Sequence, residues 1–408
     1  MRELPARLDR LGPVMAAVEA ALGGEAPLEL VAPDAGTASG PPLRAPDGTA
    51  LVLRTSGSTG EPRAVALGAR ALRASAEATA RRLGGHGSWL LALPLEHVAG
   101  AQVAVRSVLA GTVPVVVEPP FRPDRFVAGV ARMGDGRRLT SLVPTQLTRL
   151  LGDDAAVDAL RTFDAVLVGG AATPAPLLLA LRDAGVRLVT TYGMTETCGG
   201  CVYDGVPLDG VEVRVDDDGR VLVAGDVLAT GHVGRPDLDD EAFEHLDGTR
   251  WLRTRDRARW EDGRLVVLGR LDDVLLTGGE NVAPAAVEEV LATVPGVQES
   301  CVVGVPDDEW GQAVVALVVP AAVPPDVEAA RDAVRERLGR AAVPRRVHLV
   351  DALPARGPGK VDRAAAARLA AALHAAPGGG APPGSPDEPP SPPGTPPAHT
   401  PTTDGSPT

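Results

Sequence analysis

The chain has almost no lysine. Its 40 lysines and arginines comprise 39 arginines and one lysine, Lys360, in the stretch LPARGPGKVDRAA. Aromatic residues make up 2% of 408 residues, so the core must be aliphatic, built from Ala, Val and Leu. Three cysteines are too few for a disulfide scaffold at this length and point to a reducing compartment. Positive charge is in deficit: a formal net charge of −13 argues against nucleic acid or an anionic membrane surface as the main partner. Local basic sites for small anions stay open. No apolar run reaches the roughly 18 residues of a membrane-spanning helix. The uncharged stretch 165–181 is interrupted by GGAATPAP. The first 24 residues lack the apolar segment of a signal peptide, because Asp9, Arg10 and Glu19 interrupt them, and they read as an amphipathic helix. These features predict a cytoplasmic protein.

What is present is an alternation. From about residue 50 to 225, short apolar runs such as SWLLALPL, RLTSLVP, AVLVGG and VRLVTTYG alternate with helical stretches such as ALRASAEATARRLG. That pattern predicts an α/β fold of mostly parallel, helix-covered sheets, with ligands at the carboxyl ends of the strands. Residues 206–269 change style. The turns DDGR and EDGR between β-rich runs predict antiparallel hairpins, a β-rich subdomain. After about residue 270 a small α/β unit follows, with a helix over APAAVEEVLATVPGV, strands ESCVVGVP and AVVALVVP, and a final alanine-rich helix. The expected division is 1–269, 270–376, and a tail 377–408. That tail holds 12 of the 39 prolines and no large apolar residue, so it cannot bury a core and is expected to be disordered.

Four segments carry candidate chemistry. TSGSTGEPRAV, 55–65, follows a strand with alternating hydroxyls and glycines, a composition that lets backbone amides wrap phosphate oxygens. It lacks the spacing and terminal lysine of a Walker A loop, and alone it reads equally as a surface loop. TTYGMTETCGG, 190–200, offers the ring of Tyr192 to a purine, the Thr195 hydroxyl to a phosphate and the Glu196 carboxylate to Mg²⁺. Its TET portion also fits a helix N-cap. Asp256 and Arg270, expected near strand ends, are placed to bind sugar hydroxyls from two sides, although such residues are often merely solvated. Lys360 lies on the glycine–proline loop GPGK before a helix. A slender ammonium stem threads a narrow site where a guanidinium is bulky; chance survival of one surface lysine is the alternative.

TSGSTGEPRAV, TYGMTET, TRD, GRLDD, GGENV and GPGK occur in the order seen in the adenylate-forming enzymes, and the chain resembles that family over about 50–375. The family comprises AMP-forming acyl-CoA synthetases, luciferases and peptide-synthetase adenylation domains. Within it, SLVPTQLTRLL, LVGGAATP, YGMTETCGG and GGENV look most like the branch of o-succinylbenzoate–CoA ligases of menaquinone biosynthesis. The resemblance implies a large N-terminal domain hinged to a small C-terminal lid, with ATP, Mg²⁺, CoA and a carboxylic acid as reactants. It implies that Thr55, Ser56, Gly57, Ser58, Thr59, Gly60 and Arg63 line the triphosphate, and that Gly169, Gly170 and Ala171 run along the adenine, with Tyr192 stacked on it. Thr195 would contact phosphate, Glu196 would hold the metal, Asp256 and Arg270 the ribose, and Asp272 the hinge. Lys360 would bridge the attacking carboxylate and the α-phosphate. The small domain would then rotate to admit the CoA thiol.

His97, Val143, Pro144, Gly199 and Gly200 would border the acyl pocket; small residues there leave room for a benzoyl ring. His97 by itself reads equally as a partly buried histidine at a strand end. Arg63-Ala64 stands where the family has Lys-Gly, which predicts weakened phosphate handling. The loop also starts early in the chain, which leads to the expectation of a reduced N-terminal subdomain. Cys198-Gly-Gly-Cys201 has no second pair to complete a zinc site. The Pro354–Lys360 segment resembles sites silenced by lysine acetylation in some relatives. Another aryl- or acyl-CoA ligase, or a carrier-dependent adenylation enzyme, is the nearest alternative. A phosphate-loop ATPase or kinase and a non-catalytic binding protein are more distant ones. A homo-oligomer and a partner for the tail stay open.

Overall fold

The computed structural model of the chain describes residues 1–5, 11–32, 44–56, 62–355 and 360–375. The tail 377–408 therefore lies outside the described residues. Five sheets and eleven helices are found among those that are described.

The first sheet runs β1 (Arg2–Pro5), β2 (Leu28–Val31), β3 (Thr49–Ser56), β4 (Pro62–Gly68), β14 (Gly231–His232). Its first three strands are parallel, and β4 and β14 turn antiparallel. The N-terminus is thus a short strand followed by α1 (Leu11–Leu22), not the continuous helix its composition suggests. Edge pairing of Arg2–Pro5 with β2 satisfies the backbone there in place of a helix.

The second sheet has the order β11 (Val206–Pro207), β10 (Gly199–Tyr203), β9 (Leu188–Met194), β8 (Ala165–Val168), β7 (Arg138–Leu142), β5 (Ser88–Leu91), β6 (Val115–Val116). From β9 to β6 every pairing is parallel. Strands such as β8 are apolar throughout and fully buried, because helices cover both faces. The covering helices are α2 (Ala69–Leu83), α3 (Val98–Leu109), α4 (Pro123–Ala131), α5 (Pro144–Leu151), α6 (Asp154–Arg161) and α7 (Ala175–Asp183). The VPVVVE run pairs over only two residues.

The β-rich part contains β12 (Val211–Val215), β13 (Arg220–Gly225), β15 (Phe243–Leu246), β16 (Thr249–Glu261) and β17 (Arg264–Arg270), with α8 (Pro236–Ala242) inserted before β15. All its pairings are antiparallel, as expected. In the EDGR turn Asp262 and Gly263 both have positive φ, 47° and 73°, the type I′ geometry that matches strand twist. Asp204-Gly205 and Asp247-Gly248 make equivalent turns. These carry the same Asp-Gly signal and went unread in the sequence.

A single 3-10 turn, Leu271–Asp273, leads into the small C-terminal unit. It has β18 (Leu275–Thr277), β19 (Glu280–Val282), α9 (Pro284–Leu291), β20 (Val297–Asp307), β21 (Gly311–Pro320), α10 (Val327–Leu338), β22 (Arg346–Leu349) and α11 (Arg363–Ala375). α9 packs against β17, so close that a Cβ on Gly269 would lie 3.0 Å from Ala285 Cβ. No helix among the described residues is long and apolar enough to cross a membrane.

Candidate active site

The site grows from the carboxyl ends of β7, β8 and β9. After β7, Val143 and Pro144 open α5. Gln146 clamps this corner by accepting from Val143 N at 3.1 Å and donating to Ala92 O at 2.9 Å. After β8 come Gly169, Gly170 and Ala171. A Cβ on Gly169 would sit 2.2 Å from Thr191 Oγ1, so only glycine fits, and Gly170 has φ +82°. After β9 the chain makes one 3-10 turn, Thr195–Thr197, and returns as β10. The TET segment therefore caps no α-helix. Thr197 Oγ1 instead accepts from Met194 N at 2.9 Å and donates to Gly199 O at 2.7 Å, which locks the crossover. Thr195 is buried in it.

Asp256 corrects an expectation. It lies in the interior of β16, next to a break in register, and directly opposite Arg270 at the end of β17. The pair thus approaches from adjacent strands of one sheet. Tyr192 Oη donates to Asp256 at 2.8 Å, tying the β-rich part to the parallel sheet. Burial pushes the Asp256 carboxyl above its usual range, against the lowering influence of Tyr192 and Arg270. Burial, reinforced by the Asp256 charge, likewise raises the Tyr192 phenol. Arg270 forks onto Asp272, with both contacts at 2.8 Å. Asp272 also meets Arg255 at 3.4 Å.

Lys360 arrives from the other end of the chain. A bridge between Ala355 and Val361, and a bond from Asp362 N to Pro354 O at 2.8 Å, close the base of its loop. Asp362 caps α11 through Ala365 N at 2.9 Å. Arg363 then anchors that helix, forking onto Glu288 at 2.8 Å twice, donating to Val302 O at 3.0 Å and pairing with Asp273 at 3.2 Å. From this base the Lys360 stem reaches Gly170: its Cε lies 3.9 Å from where a Cβ on that glycine would be. Lys360 as a whole residue is exposed. Even so, desolvation by surrounding protein lowers its pKa; Arg270 lowers it further, and the Glu196 and Asp256 charges oppose the fall. The pKa of His97 is lowered too, by burial and then by Lys360.

Glu196, Asp256, Arg270, Gly170, His97 and Lys360 therefore share one neighbourhood. His97 stands at the N-terminal edge of α3, not at the end of a strand, and makes no side-chain cap bond. A Cβ on Gly199 would lie 3.4 Å from Gln102 Cγ and 3.8 Å from Val98 Cγ2, which places Gly199 against α3, whereas one on Gly200 would meet Tyr203 Cε1 at 2.9 Å. Thr55 and Arg63 face each other on β3 and β4, and Thr55 Oγ1 donates to Arg63 O at 3.4 Å. Ser56 ends β3; Gly57, Ser58, Thr59 and Gly60 lie outside the described residues.

Cys198 and Cys201 are free and fully buried, and burial drives both thiols upward, Cys201 to about 12. Among the described residues no three potential metal ligands cluster. The Glu196 carboxylate is a donor that suits a Mg²⁺ ion, which takes one or two carboxylates together with substrate phosphates and water rather than a protein cage.

Two residues not singled out in the sequence sit here, His232 and Asp239. His232 Nδ1 lies 2.7 Å from Asp239 Oδ1, and its Nε2 lies 3.7 Å from Glu196 Oε1. Burial lowers the imidazole pKa, but the two carboxylates more than offset that and raise it. The TGHVGRPDLDD segment carried a weak signal, a histidine ahead of an acidic helix start.

Strand-end glycines, the opposed Asp256 and Arg270, and a lysine brought in from the small C-terminal domain gather at the carboxyl end of the parallel sheet. The chain belongs to the AMP-binding enzyme family: that family's model matches residues 7–236, and the model of the AMP-binding enzyme C-terminal domain matches 286–360. A protein of Mycobacterium tuberculosis named probable 2-succinylbenzoate–CoA ligase is 48% identical over 329 residues, covering 79% of this chain and 85% of that protein. The o-succinylbenzoate–CoA synthetase of Bacillus subtilis, solved with the acyl-adenylate intermediate, superposes with a TM-score of 0.68 at 26% identity, covering 89% of this chain and 82% of that one. The same enzyme solved with ATP and magnesium gives 0.67 at 26% identity over 86% and 81%. The expected family and the fold class, a large N-terminal and a small C-terminal domain, are borne out.

Proposed function

We propose that this chain is an ATP-dependent ligase that joins 2-succinylbenzoate to CoA, serving menaquinone synthesis in the cytoplasm. The observation that carries the reading is the convergence of Lys360 on Gly170, Glu196, Asp256 and Arg270. The 48% identity with a named ligase supports the choice of acid.

In the first step a carboxylate oxygen of the acid attacks the α-phosphorus, and pyrophosphate leaves with the bonding electron pair. Lys360 holds the attacking carboxylate and an α-phosphate oxygen together, so charge that develops between them meets a preorganised ammonium. Asp256 accepts from the ribose hydroxyls, and Arg270 lies across from it. Tyr192 covers the adenine while its hydroxyl fixes Asp256. The two arms of the phosphate loop carry Thr55 and Arg63 toward the triphosphate. Glu196, with Thr195 beside it, holds Mg²⁺, which neutralises phosphate charge when bound. Neutral His97 packs at the acyl group with Val143, Pro144, Gly199 and Gly200.

In the second step the CoA thiol, losing its proton, attacks the acyl carbonyl and AMP departs. A division at 269/270, with Asp272 as the pivot, lets the small domain withdraw Lys360 between the steps.

The test is a panel of acids incubated with ATP, Mg²⁺ and CoA, read by mass spectrometry for AMP and acyl-CoA. Turnover of 2-succinylbenzoate above benzoates and fatty acids is expected. Preference for another acid refutes the narrow reading; release of ADP instead of AMP refutes the broad one.

A further inference from the structure

His232 and Asp239 close on Glu196 from behind. β14 is two residues long, and pairing with β4 seats His232 beside Val65, on the strand that leaves the phosphate loop. α8 follows at once and turns Asp239 back. Its Oδ1 accepts from His232 N and from His232 Nδ1, both at 2.7 Å. A Cβ on Gly231 would lie 2.5 Å from Asp239 Oδ2, so the carboxylate is packed on bare backbone. One edge of the ring is thereby fixed, with its hydrogen on Nδ1 directed at Asp239.

The other edge, Nε2, is buried and has no hydrogen-bond partner among the described residues. It faces Glu196 Oε1 at 3.7 Å, and the histidine is 4% exposed. Glu196 makes no other ion pair among the described residues, while Ala229 N holds its backbone carbonyl at 2.8 Å. A glutamate has three side-chain torsions to restrain, and here the neighbour that restrains them is a ring which is itself restrained.

We propose that His232 is a positioning residue that holds Glu196 Oε1 and leaves Oε2 turned toward the metal-bound triphosphate, with Asp239 fixing the ring. This rests on the reading of Glu196 as the carboxylate that meets magnesium. It makes α8, which carries none of the residues proposed to touch substrate, part of the site's support. Removing such a support behind a metal-binding side chain costs about 10- to 100-fold in metal affinity or activity.

Full-length His232→Phe, His232→Gln, Asp239→Asn and Glu196→Gln are compared by three measurements. These are ATP affinity by calorimetry with Mg²⁺ and with EDTA, the Mg²⁺ dependence of adenylation, and thioester formation from supplied acyl-adenylate, which uses neither ATP nor metal. His232→Phe is expected to weaken ATP binding in Mg²⁺ and to raise the half-saturating Mg²⁺ by about tenfold. Affinity in EDTA and the thioester step stay within about twofold. Asp239→Asn moves the same quantities in the same direction by less, and reports even if the buried variant folds poorly. His232→Gln recovers part of the loss, because its amide donates from the same side. Loss in all three measurements together means a structural histidine and overturns the proposal, as does an unchanged Mg²⁺ dependence. Should Glu196→Gln itself leave Mg²⁺ dependence unmoved, the role of Glu196 fails first; should it alone respond, only the role of His232 fails.

Discussion

Replacing Lys360 by alanine removes one of the two cations set against Glu196 and Asp256. Glu196 and Asp256 supply two negative charges, and Arg270 and Lys360 two positive ones, all within electrostatic reach of the ammonium. Without the lysine the cluster carries a net negative charge where, on the proposed reading, a polyphosphate and a carboxylate meet. Loss of one preorganised donor to developing oxyanion charge costs about 2.7–4 kcal/mol, or roughly 10²- to 10³-fold in rate. Adenylation, followed as pyrophosphate release, should fall by that factor. Thioester formation from supplied acyl-adenylate should be largely spared. Lys360→Arg separates charge from shape. The Lys360 Cε lies 3.9 Å from where a Cβ on Gly170 would stand, and a guanidinium adds a planar fork beside Arg270. A loss of at least about tenfold, or 1.4 kcal/mol, is expected. Adenylation within about threefold of the parent for the alanine variant would refute the reasoning. So would equal losses in both half-reactions.

Gly193→Ala should destabilise the protein by about 1–3 kcal/mol, read as a lower midpoint of urea unfolding. The new Cβ would sit 2.1 Å from Gly199 O, backbone that no rotamer change relieves, and an unchanged midpoint would contradict the packing. Tyr192→Phe removes a donor to a buried carboxylate and should cost about 1–3 kcal/mol near neutral pH. Because that bond favours the ionised carboxylate, the cost should shrink in acid as Asp256 protonates; a pH-independent loss would place the effect in packing instead. The adenylation rate should fall on the alkaline side below the ordinary lysine value of 10.5, since the required ammonium has a lowered pKa. The stability effect has the opposite sign. The folded state releases this proton before the unfolded state does, so the desolvation penalty is full below the lowered pKa and is relieved as pH rises toward 10.5. A rate that holds to 10.5, before other groups unfold the protein, would contradict the desolvation.

Much of the molecule was legible in one dimension because its signals are local. Asp-Gly turns report hairpins through the φ values they tolerate. The buried run AVLV reports a strand covered on both faces. Six motifs in fixed order identified the family, and the lone lysine among arginines pointed to a position where shape as well as charge is expected to matter. Even so, a local signal overreached at the N-terminus, where pairing with β2 makes a strand of Arg2–Pro5. The TET segment likewise stops after one turn, because Thr197 is taken up by Met194 and Gly199.

What no stretch of sequence carries is registry between distant elements. Period-two alternation assigns a strand without naming its partner, so Asp256 opposite Arg270 became visible only with β16 paired to β17. His232 looked like one histidine in a loop until β14 joined β4 and α8 brought Asp239 back on it. Lys360 meets Gly170 only because Arg363 and Glu288 fix the end of its loop on the small domain, and because that domain lies over the strand ends. Composition and motif order determined the chemistry this chain can attempt. The packing of sheets on one another decided which charges meet, since electrostatic work depends on distance in space and not along the chain.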